Sequence, residues 1–579
     1  MIDRDARGRK PRFHVVLIKP SKYDDDGYVI SWWHALVGSN SLACMYALTE
    51  RVVHDGILGA GVEVVIHFLD ETVCRIPVRR LARTIQSAGD RAIICMVGVQ
   101  SNQYPRAVDL SLQFMRHGLK AMIGGFHVSG SLAMLPKIPE EIQAAIDAGI
   151  TIVAGEVEAR WGDLLRAAHD GTLQPCYKFL DDVPSLEGVA PPFAPKVALR
   201  RFMPPNQTSF DAGRGCPFKC SFCTIINVQG NRMRGRTADD VEALIRRNVA
   251  QGVNRFFITD DNFARHREWE AIIDRIIDLR EREGLHLSLM LQTDTLAHRI
   301  PRFIEKTARA GCKRVFIGIE SVNPENLAAT DKRHNRIAEY RTMLQQWRAH
   351  GVTTFAGYII GFPADTYESI MRDVEYLKRE LPLDFAEFFM MTPLPGSRDH
   401  QQYWLQGMPM EPDMNLYDSM HVCMDHPRMS RDELVRALHD AWRSFYSREH
   451  VLTVLKRHKD KRRENIAYKL IWFRSSVFIE NLHPFMGGVF RFKGRMRRSP
   501  RFPVESIPAY YWRRTRDIAR WSVQMLAQLI EMRRLYVRAK RDPEYVDVAI
   551  TPEPLPPRTP LEPGPPRLSA VAAAVSQPS

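Results

Sequence analysis

Cys216, Cys220 and Cys223 stand in the string DAGRGCPFKCSFCTIINVQG (211–230), a glycine-flanked loop following a strand-like run, with the spacing Cys-x-x-x-Cys-x-x-Cys. Three thiolates held so close repel one another and need a counter-charge, which iron or zinc supplies. A structural zinc site takes a fourth protein ligand, and no other Cys or His lies within ten residues on either side of the trio. A 4Fe–4S cluster held by three cysteines leaves one iron open to a small molecule. The trio favours that open iron over zinc.

With Phe222 directly before the last cysteine, the loop resembles that of the radical S-adenosylmethionine (radical SAM) enzymes. The resemblance implies that the open iron chelates the amino and carboxylate groups of S-adenosylmethionine. One electron from the cluster then splits the sulfonium to a 5′-deoxyadenosyl radical, a chemistry that belongs to the cofactor and not to the protein. TDDN (259–262) occupies the place of the family's Gly-Gly-Glu element; the letters depart, and Asp260, Asp261 or Asn262 is left as acceptor for the methionine ammonium. GIES (318–321) resembles the ribose-binding strand, with Glu320 as acceptor, and GYIIGFP (357–363) the adenine-contacting element around Gly361. Taken singly, each motif reads equally well as a cap or a turn; in this order behind the cysteines they reinforce one another. Asp294, closing QTD (292–294), is the candidate to face substrate.

The elements that must position these residues come as strand–helix alternations. HVVLIK (14–19), VEVVIHF (62–68), AIICMVGV (92–99), KAMIGG (120–125) and ITIVAG (150–155) are continuous apolar runs, as parallel strands buried on both faces require. Helical patterns at 41–53 and 104–118 separate them, so residues 1–180 are expected to form a doubly wound Rossmann-like domain with its ligand site at the strand ends. VGVQSN (97–102), IGGFH (123–127) and AGEVEARWGDLL (154–165) resemble the cobalamin-binding domain that precedes the barrel in one radical SAM class. That resemblance implies cobalamin contact at Gly124, Gly125 and His127. The histidine motif that ligates cobalt from below is missing at KPSKYDDDGY (19–28), so cobalt without a histidine ligand is implied. The alternative is an ordinary open sheet whose glycines only turn the chain.

A proline-bearing stretch (181–205) reads as a linker. Strand-like runs at 254–261, 287–294, 314–321, 353–362 and 384–395 then alternate with helices at 269–284 and 300–311, predicting a full or partial βα barrel over 206–400. The fold class is therefore α/β, with a helical, basic region at 401–545 and a proline-rich tail at 546–579 expected to be disordered. The six remaining cysteines sit singly in apolar patterns, as small buried hydrophobes.

Composition narrows the function. At 579 residues, 45% hydrophobic and 26% charged, the chain excludes wholesale disorder and disulfide miniproteins. No run nears the ~18 apolar residues of a membrane span, the N-terminus lacks a leader-like apolar core, and nine mostly isolated cysteines suit a reducing compartment. A cytoplasmic enzyme is expected. The net charge of +14 resides in residues 451–550, which hold 23 Lys/Arg against 9 Asp/Glu. There RFKGRMRRSPRF (491–502) and a helical pattern at 517–540, with Ile518, Trp521, Met525, Leu529 and Met532 near one face, allow three roles: a cap on the barrel, a peripheral membrane contact through 491–540, or, least favoured, RNA binding. The combined reading is a cobalamin-dependent radical SAM enzyme that methylates an unactivated carbon of a small molecule or lipid, fed electrons by a flavodoxin or ferredoxin. Ring formation or rearrangement without cobalamin, and RNA modification, are its rivals.

Overall fold

The computed structural model describes residues 12–59, 61–181, 183–542, 545 and 547–550. Its first half is built on β1 (Arg12–Lys19), β2 (Trp32–Ala35), β3 (Glu63–Asp70), β4 (Arg91–Met96), β5 (Lys120–Gly124), β6 (Thr151–Gly155) and β7 (Cys176–Phe179). All but β2 form one parallel sheet in the order β3-β1-β4-β5-β6-β7. Val15, Val16, Leu17 and Ile18 of β1 are completely buried because helices cover both faces. The order reverses at β1, and a doubly wound sheet binds its ligand outside the strand ends beside such a switch.

The second sheet contains β8 (Gln207–Phe210), β11 (Arg255–Ile258), β12 (Ser288–Thr293), β13 (Cys312–Glu320), β14 (Thr353–Ile360) and β15 (Phe385–Met390). Between the first two lies a short hairpin of β9 (Gly213–Arg214) and β10 (Arg234–Gly235). The six strands run parallel in strict chain order, β8 to β15, each beside its predecessor. That is a six-stranded partial βα barrel, with the helix Trp269–Glu281 among those that cover it.

The stretch expected to be a loose linker is packed: Leu186, Ala194, Leu199 and Phe202 are buried, and Val189 O accepts a bond from Arg236. Proline-set turns here run over apolar anchors, which composition alone hides.

Helices Arg431–Phe445, Arg448–Lys456 and Asp460–Phe478 close the barrel's flank, with Trp442 and Phe445 against Phe388. β16 (Gly488–Arg491) then pairs antiparallel with β2, returning the chain to the first domain. Much of the basic segment is spent on that return: Arg491 and Lys493 bind Asp24, and Arg497 binds Glu71. The final helix is Ile507–Lys540, and its buried side is Gln528, Met532, Leu535 and Ala539; Leu529, expected near one face with Met532, is exposed while Met532 is buried. Ordered chain continues into the span assigned to the tail, since Asp547 binds Arg457 at 2.6 Å before a turn at Val548–Ile550. The rest of that tail, like the N-terminal residues before Arg12, lies outside the described residues.

Candidate functional site

The carboxyl ends of both sheets face one cavity of about 650 Å³. From the first domain come Val97 and Gly98 after β4, Gly124 and Gly125 after β5, and Gly155, Glu156 and Glu158 after β6. The barrel supplies Asp211 and Arg214 after β8, Asp261 after β11, and Phe389, Leu394 and Pro395 at β15, with Thr224, Ile225 and Gln229 from the loop after the cysteines. His483, Phe485 and Met486 of the C-terminal region complete the wall.

A buried ionic clasp locks the two domains around this space. Arg214 reaches Asp211 at 2.9 Å, Glu156 at 2.8 Å and Glu158 at 2.5 Å, and Arg234 reaches Glu156 at 2.5 Å. Burial works against Asp211's charge, yet Arg214 and Arg236 bring its carboxyl down to about 2. Close packing adds to the clasp: a Cβ on Gly130, in the helix Phe126–Met134, would lie 2.3 Å from Pro395 O.

The cysteine loop leaves the β9–β10 hairpin and is pinned by its backbone. Cys216 N donates to Gly230 O at 3.3 Å, Ser221 N to Thr330 O at 3.1 Å, and Phe218 stacks on His334 with ring centres 3.6 Å apart. Burial pushes all three thiols up, Cys220 to about 11 and Cys223 to about 12; Lys332 opposes it at Cys220, while Asp261 adds to it at Cys223. Among the described residues no three His, Cys, Asp or Glu side chains gather as a single-ion site. The fit of a multi-iron group rests on the donors: burial and mutual coupling keep the three thiols protonated, and a cationic group bound there would favour their thiolate forms.

Of the three acceptors expected for the ammonium, Asp261 is the one on the cavity wall. Its carboxyl is open to the cavity but ringed by protein, and burial lifts it to about 7. Asp260 is buried, accepts from Ala212 N at 2.7 Å and is held well above the usual carboxylate range by burial. Asn262 is tied to Asp294 in both directions, at 2.8 and 3.2 Å.

Several other expected positions are bound to protein. Asp294 does not face the cavity: Arg265 grips both its oxygens at 2.6 and 2.9 Å, and Leu296 N and Asn262 Nδ2 donate two more bonds. It braces the ends of β11 and β12, a role that strand-end acids share with catalytic ones in sequence. Glu320 pairs with Lys332, over which Phe222 lies at 5.6 Å. Gly361 N and Phe362 N both donate to Asp365 at 3.0 Å, so those N–H groups are not free for a base.

His127, expected near cobalamin, is fully buried behind the wall, against Tyr104 and 3.2 Å from Ser101 Oγ. Gly124 and Gly125 do line the cavity, but what they spare is protein: a Cβ on Gly125 (φ 146°) would sit 2.1 Å from Val99 N, and one on Gly124 3.2 Å from Val153 O. Glycine lets the strand ends pack so closely that backbone itself forms the floor.

Functional residues that the sequence reading missed are polar atoms with nothing to bind. Asn40 Oδ1, Asn102 Oδ1, Glu158 Oε2 and Gln229 Oε1 are buried, line the cavity and have no hydrogen-bond partner among the described residues. Buried orphans of this kind are costly unless a ligand completes them, so the cavity suits a large group rich in polar atoms. Two cysteines expected as inert hydrophobes, Cys44 and Cys95, also line it; Cys44 lies 3.3 Å from Asp211, and burial holds its thiol far up.

The profile of the Radical SAM superfamily matches residues 212–377, from the cysteine loop through β14. Those residues are a Radical SAM domain. The chain is similar to the bacteriochlorophyllide d C-8(2)-methyltransferase of Chlorobaculum tepidum, 27% identical over 357 residues that span 58% of this chain and 73% of that one. Its fold is similar to that of TsrM from Kitasatospora setae, solved with cobalamin and a [4Fe-4S] cluster bound (TM-score 0.51, 17% identity, 68% of this chain and 78% of that chain). It is also similar to that of the cobalamin-dependent S-adenosylmethionine radical enzyme OxsB (TM-score 0.51, 12% identity, 92% and 84%). The likeness to the OxsB fold takes in both sheet domains of this chain, and not its barrel alone.

Proposed function

We propose that this enzyme is a cobalamin-dependent radical SAM C-methyltransferase acting on a small molecule or lipid. The observation that carries the reading is the shared cavity: strand ends of a doubly wound domain and of a radical SAM barrel converge on one space, with Asp261 and four orphaned polar atoms on its wall. When bound, the cluster with S-adenosylmethionine supplies a hydrogen-abstracting radical, and methylated cobalamin supplies the methyl group. Cys216, Cys220 and Cys223 hold the cluster. Asp261 would accept the methionine ammonium, and the Gly98, Gly124, Gly125 and Gly155 backbone, with Asn40, Asn102 and Gln229, would hold the corrinoid.

The clasp of Arg214 with Glu156, Glu158 and Asp211 keeps the two cofactor sites in register, since radical and methyl donor must meet one carbon. Phe389 and Phe485 give the substrate side an apolar aromatic wall. A flavodoxin- or ferredoxin-type reductant and a peripheral membrane contact through 491–540 belong to the same proposal. Anaerobic reconstitution with iron, sulfide and hydroxocobalamin tests it. Bound corrin absorbance together with 5′-deoxyadenosine on reduction is the expected result. Cluster and deoxyadenosine without corrin would restrict the proposal to radical chemistry alone, as in ring formation or rearrangement.

A further inference from the structure

Among the described residues, 16 of the 24 large hydrophobic side chains left exposed fall between Tyr468 and Val537. Exposure is thus a property of this one region, and such a concentration marks an interaction surface. The final helix, Ile507–Lys540, concentrates it further. Its inner face is buried at Gln528, Met532, Leu535 and Ala539. On the opposite face, Trp512 (75% exposed), Val523 (69%), Leu526 (60%), Ile530 and Val537 recur at helical spacing, with exposed Ala519 between them.

Cations flank that stripe. The helix carries two acids, Asp517 and Glu531. The first faces Arg516 and the second is shared by Arg448 and Arg474. Arg520, Arg533, Arg534 and Arg538 are exposed and form no ion pair among the described residues. The apolar band runs on to the cavity: Trp521 meets the Phe490 ring at 6.3 Å, and β16 leads from Phe490 back to Phe485, which is 47% exposed and lies on the cavity wall.

We propose that the outer face of this helix is a docking surface for an anionic lipid bilayer, seating the cavity mouth at Phe485 toward the membrane. It names the surface for the peripheral contact in the reading above, and its test needs no cofactor, so the two can fail separately. The observations favour a bilayer over its rivals. RNA would satisfy the arginines but leave Val523, Leu526 and Ile530 in water, because aliphatic side chains cannot stack on bases. A second copy of the chain would bring the same unpaired arginines against themselves. A bilayer takes both: apolar stripe into the acyl boundary, arginines to anionic headgroups, Tyr511 and Trp512 at the interface. No described helix is long and apolar enough to cross a membrane, so the contact is a surface one.

Co-sedimentation of the full chain with vesicles of phosphatidylcholine, with and without phosphatidylglycerol, tests this. The protein is expected to pellet about tenfold more with the anionic vesicles, and less as salt rises. A Val523→Asp, Leu526→Asp, Ile530→Asp variant is expected to lose that pelleting with an unchanged melting curve. Arg534→Glu with Arg538→Glu is expected to erase the preference for phosphatidylglycerol. Should the triple variant unfold, quenching of tryptophan fluorescence by brominated lipid, reduced in Trp512→Phe, gives the same answer. Equal pelleting of parent and triple variant, no pelleting at all, or quenching unaffected by Trp512→Phe would overturn the proposal.

Discussion

The two sides of the cavity are built on opposite principles. On the sheet side, the floor is backbone at Gly98, Gly124, Gly125 and Gly155, where an added Cβ on Gly125 or Gly155 would strike protein within 2.3 Å. The barrel side is made of acidic side chains that burial holds toward their uncharged forms: thiols pushed up, Asp261 lifted to about 7, and Asp260 raised well above the usual carboxylate range. The first side is a receptacle of close-packed backbone. The second gives up its protons readily only when a cationic partner binds, which is what a site for such a partner requires. Each side should therefore fail in its own way, and substitutions on each side separate them.

The largest effect is expected from Cys216→Ala, Cys220→Ala or Cys223→Ala. Each should reduce bound iron and drop 5′-deoxyadenosine formation to background, while corrin absorbance after reconstitution stays. Loss of corrin in these variants would break the division between the two sides. Arg214→Ala comes next, since it removes the cation shared by three buried acids; a cost of about 3–5 kcal/mol is expected in a denaturant melt, with both cofactors bound less well. Gly125→Ala should act on the sheet side alone, costing about 2 kcal/mol or more through strain and overlap. It should weaken corrin uptake and spare iron content.

Asp261→Asn should raise the dissociation constant for S-adenosylmethionine about tenfold, the worth of one charged hydrogen bond, with iron and corrin content unchanged. The smallest effect is on acid stability. Because Asp211 is held down at about 2, its contribution is present above its unfolded value of about 3.8 and fades as pH falls toward 2. Between pH ~5 and ~2 the melting temperature should fall less steeply in Asp211→Asn than in the parent protein.

Both sheets were legible in the sequence because parallel strands buried on both faces write continuous apolar runs, as in HVVLIK and AIICMVGV. The cysteines proposed to hold the cluster stand out in the sequence for a different reason: ligands from a single loop are neighbours in sequence. The rest of the site is assembled from strand ends far apart in the chain. Nothing local tells Asp261, which faces the cavity, from Asp294, which is gripped by Arg265, since both are acids closing a barrel strand. Nor does local sequence tell that Arg491 and Arg497 are tied to Asp24 and Glu71, more than 400 residues earlier, while Arg534 stays free of ion pairs among the described residues. His127 misled because a histidine after two glycines reads as a ligand contact, whereas helix packing against Tyr104 encloses it.

Electron paramagnetic resonance of the anaerobically reconstituted, reduced protein, recorded before and after addition of S-adenosylmethionine, bears most directly on the open iron that Cys216, Cys220 and Cys223 are proposed to hold. The account expects a reduced 4Fe–4S signal whose g-values shift when S-adenosylmethionine binds. A signal that stays unchanged by the addition, or protein that carries zinc in place of iron, would contradict it.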